Sequence, residues 1–106
     1  MIRVVVNHQL KDKKDTKAYI EVMRELTNEA IRQPGYITGE TLVNTEDECN
    51  VLVIATWRSS KHFNDWYTSE IQQKVNGMYP RILTEPPRIC IYSYVMTRKG
   101  RVWSTF

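Results

Sequence analysis

The stretch from Ala55 to Trp66, ATWRSSKHFNDW, changes its periodicity within a few residues and constrains everything around it. Up to Thr56-Trp57 it reads as the end of a strand. Ser59 or Ser60 can then cap a helix by accepting a hydrogen bond from a free backbone N–H of its first turn. Beyond the serines, Phe63, Trp66, Tyr67, Ile71 and Val75 recur at intervals of three and four, which places them on one helical face. A strand that turns at once into a helix with an indole on its inner side needs a sheet beneath it and other elements around it.

The flanking sequence supplies them. In residues 2 to 10, Ile2, Val4, Val6, His8 and Leu10 point one way, and Arg3, Val5, Asn7 and Gln9 the other. The valines favour a strand. After the charged turn Lys11 to Lys14, a helix carries Tyr19, Val22, Met23, Leu26 and Ala30 as its buried stripe. Pro34-Gly35 ends it, because proline cannot continue a helix and glycine permits the reversal. Tyr36 to Asn44 reads as a second strand, with Gly39 as a bulge or a point of close approach. A polar loop from Thr45 to Asn50, with Cys49 in it, leads to a third strand, Val51 to Trp57. The two strands are antiparallel neighbours on loop length. The helix after Ser60 is expected to run to Val75 or Asn76. Residues 77 to 87 read as irregular, and Arg88 to Met96 as the last strand.

The order is βαββαβ. Right-handed crossovers turn that order into an α+β, ferredoxin-like antiparallel sheet with both helices on one face. The other face still carries valine, isoleucine and tyrosine, and an apolar surface of that kind marks a partner. A second copy, sheet against sheet, gives a two-fold homodimer.

A chain of 106 residues is large enough for one core and too small for two. It divides into a domain over residues 1 to 96 and a basic, aromatic tail over residues 97 to 106. Residues 1 to 96 hold twelve Lys or Arg against twelve Asp or Glu, and the net charge of +3 comes from Arg98, Lys99 and Arg101. A neutral body lacks the basic face that neutralising phosphates requires, so no nucleic-acid partner is expected. Trp103 and Phe106 either pack on the partner or hang free. No run of about 18 apolar residues exists, which argues against a membrane partner. The opening residues are too short and too polar for a secretory leader, so a cytoplasmic location and two free thiols, Cys49 and Cys90, are expected.

Three features resemble the antibiotic biosynthesis monooxygenase branch of the dimeric α/β-barrel superfamily. They are a first strand with a late asparagine (Asn7), the helix end Gln33-Pro34-Gly35-Tyr36, and Thr56-Trp57-Arg58-Ser59 followed by Phe63 and Trp66. The resemblance covers nearly all of residues 1 to 96. It implies a dimeric α/β barrel with a pocket between sheet and helices in each subunit. It also implies one of two activities. One is oxidation of an aromatic, quinol-like substrate by O2 without a metal or other cofactor. The other is haem binding and degradation, as in the Isd-type haem oxygenases. Those enzymes use an asparagine on the first strand, a tryptophan on the second helix, and an axial histidine about nine or ten residues further on. Asn7 and Trp66 match the first two. The third position falls on Val75 or Asn76, neither of which ligates iron, so a haem would need His62, Tyr79 or Cys90.

The resemblance makes Asn7 and Trp66 the catalytic candidates, with Phe63, Trp57 and Tyr92 as residues that bind a small aromatic ligand. Asn7 either bonds a bound oxygen or substrate carbonyl, or bonds backbone at a sheet edge. Trp66 either stacks on a flat ring or fills the core. Tyr92 shares a face with Tyr94 and Met96 that suits a pocket or an interface. His8 and His62 are the two histidines able to act as a base near neutral pH; His8 points away from Asn7. No zinc spacing, phosphate loop, Ser-His-Asp set or paired carboxylates are present, so no metal site is expected. A non-catalytic ligand-binding domain built on the same pocket is a third reading.

Overall fold

The computed structural model describes residues 1–100; the tail residues Arg101, Trp103 and Phe106 lie outside them. Four strands form one antiparallel sheet: β1 (Ile2–Gln9), β2 (Tyr36–Asn44), β3 (Asp47–Trp57) and β4 (Arg88–Ser93). Their order is β2-β3-β1-β4, the ferredoxin-like arrangement that the βαββαβ pattern requires. β1 lies at the centre, paired with β3 from Ile2↔Trp57 to Gln9↔Asn50 and with β4 from Ile2↔Ser93 to Asn7↔Arg88.

A short 3-10 turn, Lys13–Asp15, leads into α1 (Thr16–Ala30). The second crossover consists of three pieces: α2 (Ser60–Tyr67), α3 (Glu70–Asn76) and α4 (Tyr79–Ile82). This corrects the expectation of one continuous helix to Val75 or Asn76. Ser59 caps α2 by accepting from His62 N, and Ser69 caps α3 by accepting from Gln72 N. The second cap restarts the helix on a new axis, so Ile71 does not continue the Phe63–Trp66 face and is 42% exposed. The region expected to be irregular contains α4, whose Pro80 suits a first turn because its missing N–H would have had no partner there. β3 begins at Asp47, so Cys49 lies in a strand rather than a turn, and β4 ends at Ser93 rather than Met96.

The helices cover one sheet face with two apolar clusters. Leu10, Tyr19, Met23, Val51, Tyr79 and Leu83 form one. Val4, Ala30, Trp57, Phe63 and Trp66 form the other. The strand register puts Val5, Leu52, Ile54, Cys90 and Tyr92 on the opposite face. Gly35 joins α1 to β2 at φ +86°, a conformation in which a side chain is strained, and the ring of His62 lies against its Cα. Its carbonyl accepts from Arg58 N at 2.7 Å, tying the start of β2 to the end of β3.

Candidate active site

A cavity of about 170 Å³ lies between the sheet and the helices, at the junction of the two clusters. Val4, Val6 and His8 of β1 and Val53, Ala55 and Trp57 of β3 form its floor. Met23, Leu26 and Ala30 of α1 and Phe63 and Trp66 of α2 close over it. One wall is a chain of aromatic rings. Tyr36 meets Trp57 edge-on at 5.2 Å, Trp57 meets Phe63 at 6.1 Å, and Phe63 meets Tyr67 at 5.4 Å. The first two contacts are edge-to-face and the third is tilted, and together they hold the rings in defined orientations along the wall.

The strand-to-helix joint explains why α2 delivers two aromatics here. Ser59 ends the strand in extended backbone and starts the helix in one residue. Phe63 and Trp66 then fall a turn apart on the face turned to the sheet. Of the residues expected to bind a ligand, Trp57, Phe63 and Trp66 line the cavity.

Asn7 and Tyr92 do not. β1 alternates, and His8, with Val4 and Val6, takes the helix side. Asn7 therefore projects from the opposite face, where its Oδ1 accepts from Asn50 Nδ2 at 2.9 Å. Asn50 Nδ2 also lies 3.2 Å from Gln9 Oε1, so Asn7 belongs to a ladder of amides across the sheet. Tyr92 stands opposite Arg3 on that same face and is 56% exposed. His62 is also absent from the cavity wall, with its Nδ1 2.7 Å from Ser59 Oγ.

The residue that the structure brings in is His8. It is 3% exposed. Its Nδ1 is hydrogen-bonded to the hydroxyl of Tyr19. Its Nε2 is buried and has no partner among the described residues. Tyr79 tilts against the ring at 4.9 Å. Burial pushes the imidazole down from 6.5 to about 4, so it is neutral at pH 7. Burial also raises Tyr19 and Tyr79 well above the usual phenol range, so neither is a source of negative charge. The second buried polar group on the wall, Gln72, is held by Asn76, whose Oδ1 accepts from its Nε2 at 2.9 Å. The cavity is thus a largely apolar, aromatic-walled space with a buried imidazole among its lining residues. The sequence carried the signal for it: His8 shares the parity of Val4 and Leu10, the more apolar side of β1, and that side faces the core.

Among the described residues no three His, Cys, Asp or Glu side chains cluster as metal ligands, and no helix is long and apolar enough to cross a membrane.

Fold and site together describe a ferredoxin-like α+β domain with an internal aromatic pocket. The profile of the antibiotic biosynthesis monooxygenase family matches residues 1–77, and the chain belongs to that family. No curated protein sequence matches it. Solved structures share the fold at low identity. A putative antibiotic biosynthesis monooxygenase from Nitrosomonas europaea superposes with TM-score 0.81 at 18% identity, over 91% of this chain and 100% of its own. A conserved protein from Methanosarcina mazei Go1 gives 0.79 at 18%, over 86% and 89%. SnoaB, a cofactor-independent oxygenase from Streptomyces nogalater, gives 0.79 at 14%, over 91% and 94%.

Proposed function

We propose that this protein is a monooxygenase that takes a small phenolic or quinol-like aromatic into the cavity beneath α2 and oxidises it with O2 without a metal. The observation that carries this reading is an apolar, aromatic-walled space between sheet and helices with the buried imidazole of His8 among its lining. In such chemistry the substrate is the reductant. A phenol ring C–H becomes a carbonyl, one oxygen atom of O2 enters the product quinone, and the other leaves as water. The substrate gives its first electron to O2 after losing a proton. The protein contributes a dry, shaped cavity, ring packing from Phe63 and Trp66, and the buried imidazole of His8 on its lining. The likeness to SnoaB, described as a cofactor-independent oxygenase, supports it.

The volume restricts the substrate. About 170 Å³ is close to the ~150 Å³ apolar cavity that holds a benzene ring, and below the ~300–1,000 Å³ of pockets for drug-sized ligands. One- or two-ring aromatics match a space of that size. Of the substitute iron ligands, Tyr79 alone lines the cavity.

We also propose that the uncovered sheet face pairs with a second copy. Val5, Leu52 and Ile54 are half-buried on it without a layer above them.

Oxygen uptake measured against a panel of one- and two-ring phenols and quinols tests the activity. Turnover by the wild type that falls in Trp66→Phe and His8→Gln is the expected result. Uptake no faster than the uncatalysed rate across the panel would sink the reading. A haem titration with a saturable Soret band would replace it with haem chemistry.

A further inference from the structure

Gly39 of β2 stands opposite Ala55 of β3, and Ala55 opposite Val4 of β1. All three line the cavity, so a side chain at position 39 would project toward it. The hydroxyl of Tyr36 lies so close to the place of that missing Cβ that the two could not coexist. Backbone and ring both hold the phenol there. The Tyr36 N–H donates to Gln33 O at 3.2 Å, the residue pairs with Trp57, and its ring meets the indole edge-on at 5.2 Å. The hydroxyl is thus placed by its surroundings and not by a bond of its own. No side chain among the described residues hydrogen-bonds it, and burial raises the phenol above its ordinary value of 10 with nothing to offset it. It keeps its proton at neutral pH.

Most other polar side chains along the wall are engaged. His8 bonds Tyr19, and Gln72 bonds Asn76. The amides of Gln72 and Asn76 reach the phenols of Tyr79 and Tyr67. Glu40 pairs with Arg3 at 2.7 Å on the opposite sheet face. Thr27 of α1 and Thr41 of β2 line the cavity and are exposed, as is Gly39, so the space meets solvent between α1 and β2. Tyr36 is the half-buried polar group on that side, where an oxygen carried in by a guest loses water and needs a partner.

Resting on the reading of this cavity as the ligand site, we propose that the Tyr36 hydroxyl binds the oxygen of an aromatic guest, which lies with that oxygen toward β2 and its ring in the apolar interior. The ligand class is a one-ring aromatic with oxygen on or beside the ring, as a phenol or a carbonyl. A neutral phenol both donates and accepts. It accepts from the hydroxyl of a substrate phenol and donates to a carbonyl such as that of a quinone product, so one group serves both oxidation levels. Gly39 belongs to the same arrangement, because any larger residue would take the hydroxyl's place.

Tyr36→Phe deletes the hydroxyl and keeps the ring that packs on Trp57. Acetophenone and α-methylstyrene serve as isosteric one-ring probes, a carbonyl oxygen against a methylene. Acetophenone should bind the variant about tenfold more weakly, the effect of one hydrogen bond, with α-methylstyrene unchanged within about twofold. Phenol against toluene should show the same contrast. An equal loss within either pair, or no loss, would reduce Tyr36 to a packing residue and overturn the proposal. Infrared spectroscopy reads the bond in the wild type itself: the carbonyl stretch of bound acetophenone should lie below its value in hexane, and a stretch at the hexane value would overturn the proposal without any variant. Absence of oxygen uptake with every phenol, alongside a selective loss of acetophenone in Tyr36→Phe, would remove the monooxygenase reading and leave this one standing. Oxygen uptake with acetophenone affinity unchanged in Tyr36→Phe would do the reverse.

Discussion

The hydroxyl of Tyr36 lies directly over the Cα of Gly39, so closely that a side-chain carbon there would collide with it. Tyr36 in turn meets Trp57 edge-on and lines the cavity. We expect Gly39→Ala to push the phenol aside, disturb the aromatic wall and destabilise the fold by about 1–3 kcal/mol. Urea unfolding checks the stability, and acetophenone titration checks the cavity. Gly35→Ala should cost more than Gly39→Ala, because it meets the base of the His62 ring as well as an unfavourable φ.

Stability should depend on pH through His8. Its imidazole titrates at about 4 in the fold against 6.5 in the unfolded chain. Between those values the unfolded chain binds the extra proton, so protons favour unfolding. The stabilisation is complete above pH 6.5 and is lost as pH falls toward 4, by about 3 kcal/mol in all. The groups around the ring, Tyr19 and Tyr79, stay neutral throughout and do not offset it. Denaturant midpoints from pH 7.5 to 4 should fall for the wild type and flatten in His8→Phe. A flat wild-type profile would show that the imidazole is not held neutral.

Trp66 is 6% exposed and bridges the core and the cavity roof. Trp66→Ala should destabilise by about 3–5 kcal/mol, the usual cost of truncating a buried aromatic. Trp66→Phe should cost less, keep the fold, and still weaken binding of two-ring aromatics. Thermal melts and ligand titrations separate the two effects.

Asn7 and His8 are neighbours in sequence and lie on opposite faces of the sheet. We expect Asn7→Ala to leave aromatic binding in the cavity unchanged and to cost about 1 kcal/mol through the lost bond to Asn50. His8→Gln should do the reverse, with ligand affinity as its main loss. Equal effects of both changes on affinity would count against the site as drawn.

The uncovered sheet face predicts its own experiment. Ile54→Lys, in the middle of that face, should convert a dimer to a monomer in sedimentation at micromolar concentration. A wild type that sediments as a monomer would remove the dimer.

The βαββαβ order could be read from period, because the stripe Tyr19–Met23–Ala30 marks a helix and the alternation of β1 a strand. The break at Thr68–Ser69 could not. Neither glycine nor proline marks it, and the spacing from Tyr67 to Ile71 to Val75 runs straight across it. A serine cap is a local hydrogen bond, and a serine inside a helix looks the same in the sequence. Asn7 was selected by resemblance while the parity of β1 pointed to His8. Periodicity identified the two faces of β1, but Val5 beside Asn7 left neither purely polar, so the alternation did not say which one met the helices. Tyr92 lies on the Asn7 side of the sheet, which suits the interface alternative and not the pocket.

β1 is paired on both sides, through eight residues to β3 and six to β4. That double anchorage sets the phase of its side chains. A deletion of one residue within the strand, with its pairing otherwise kept, would exchange an imidazole for an amide inside the cavity and move the imidazole to the outer surface of the sheet. The strand thus carries two alternative reagents one position apart, and its phase determines which of them a guest molecule meets.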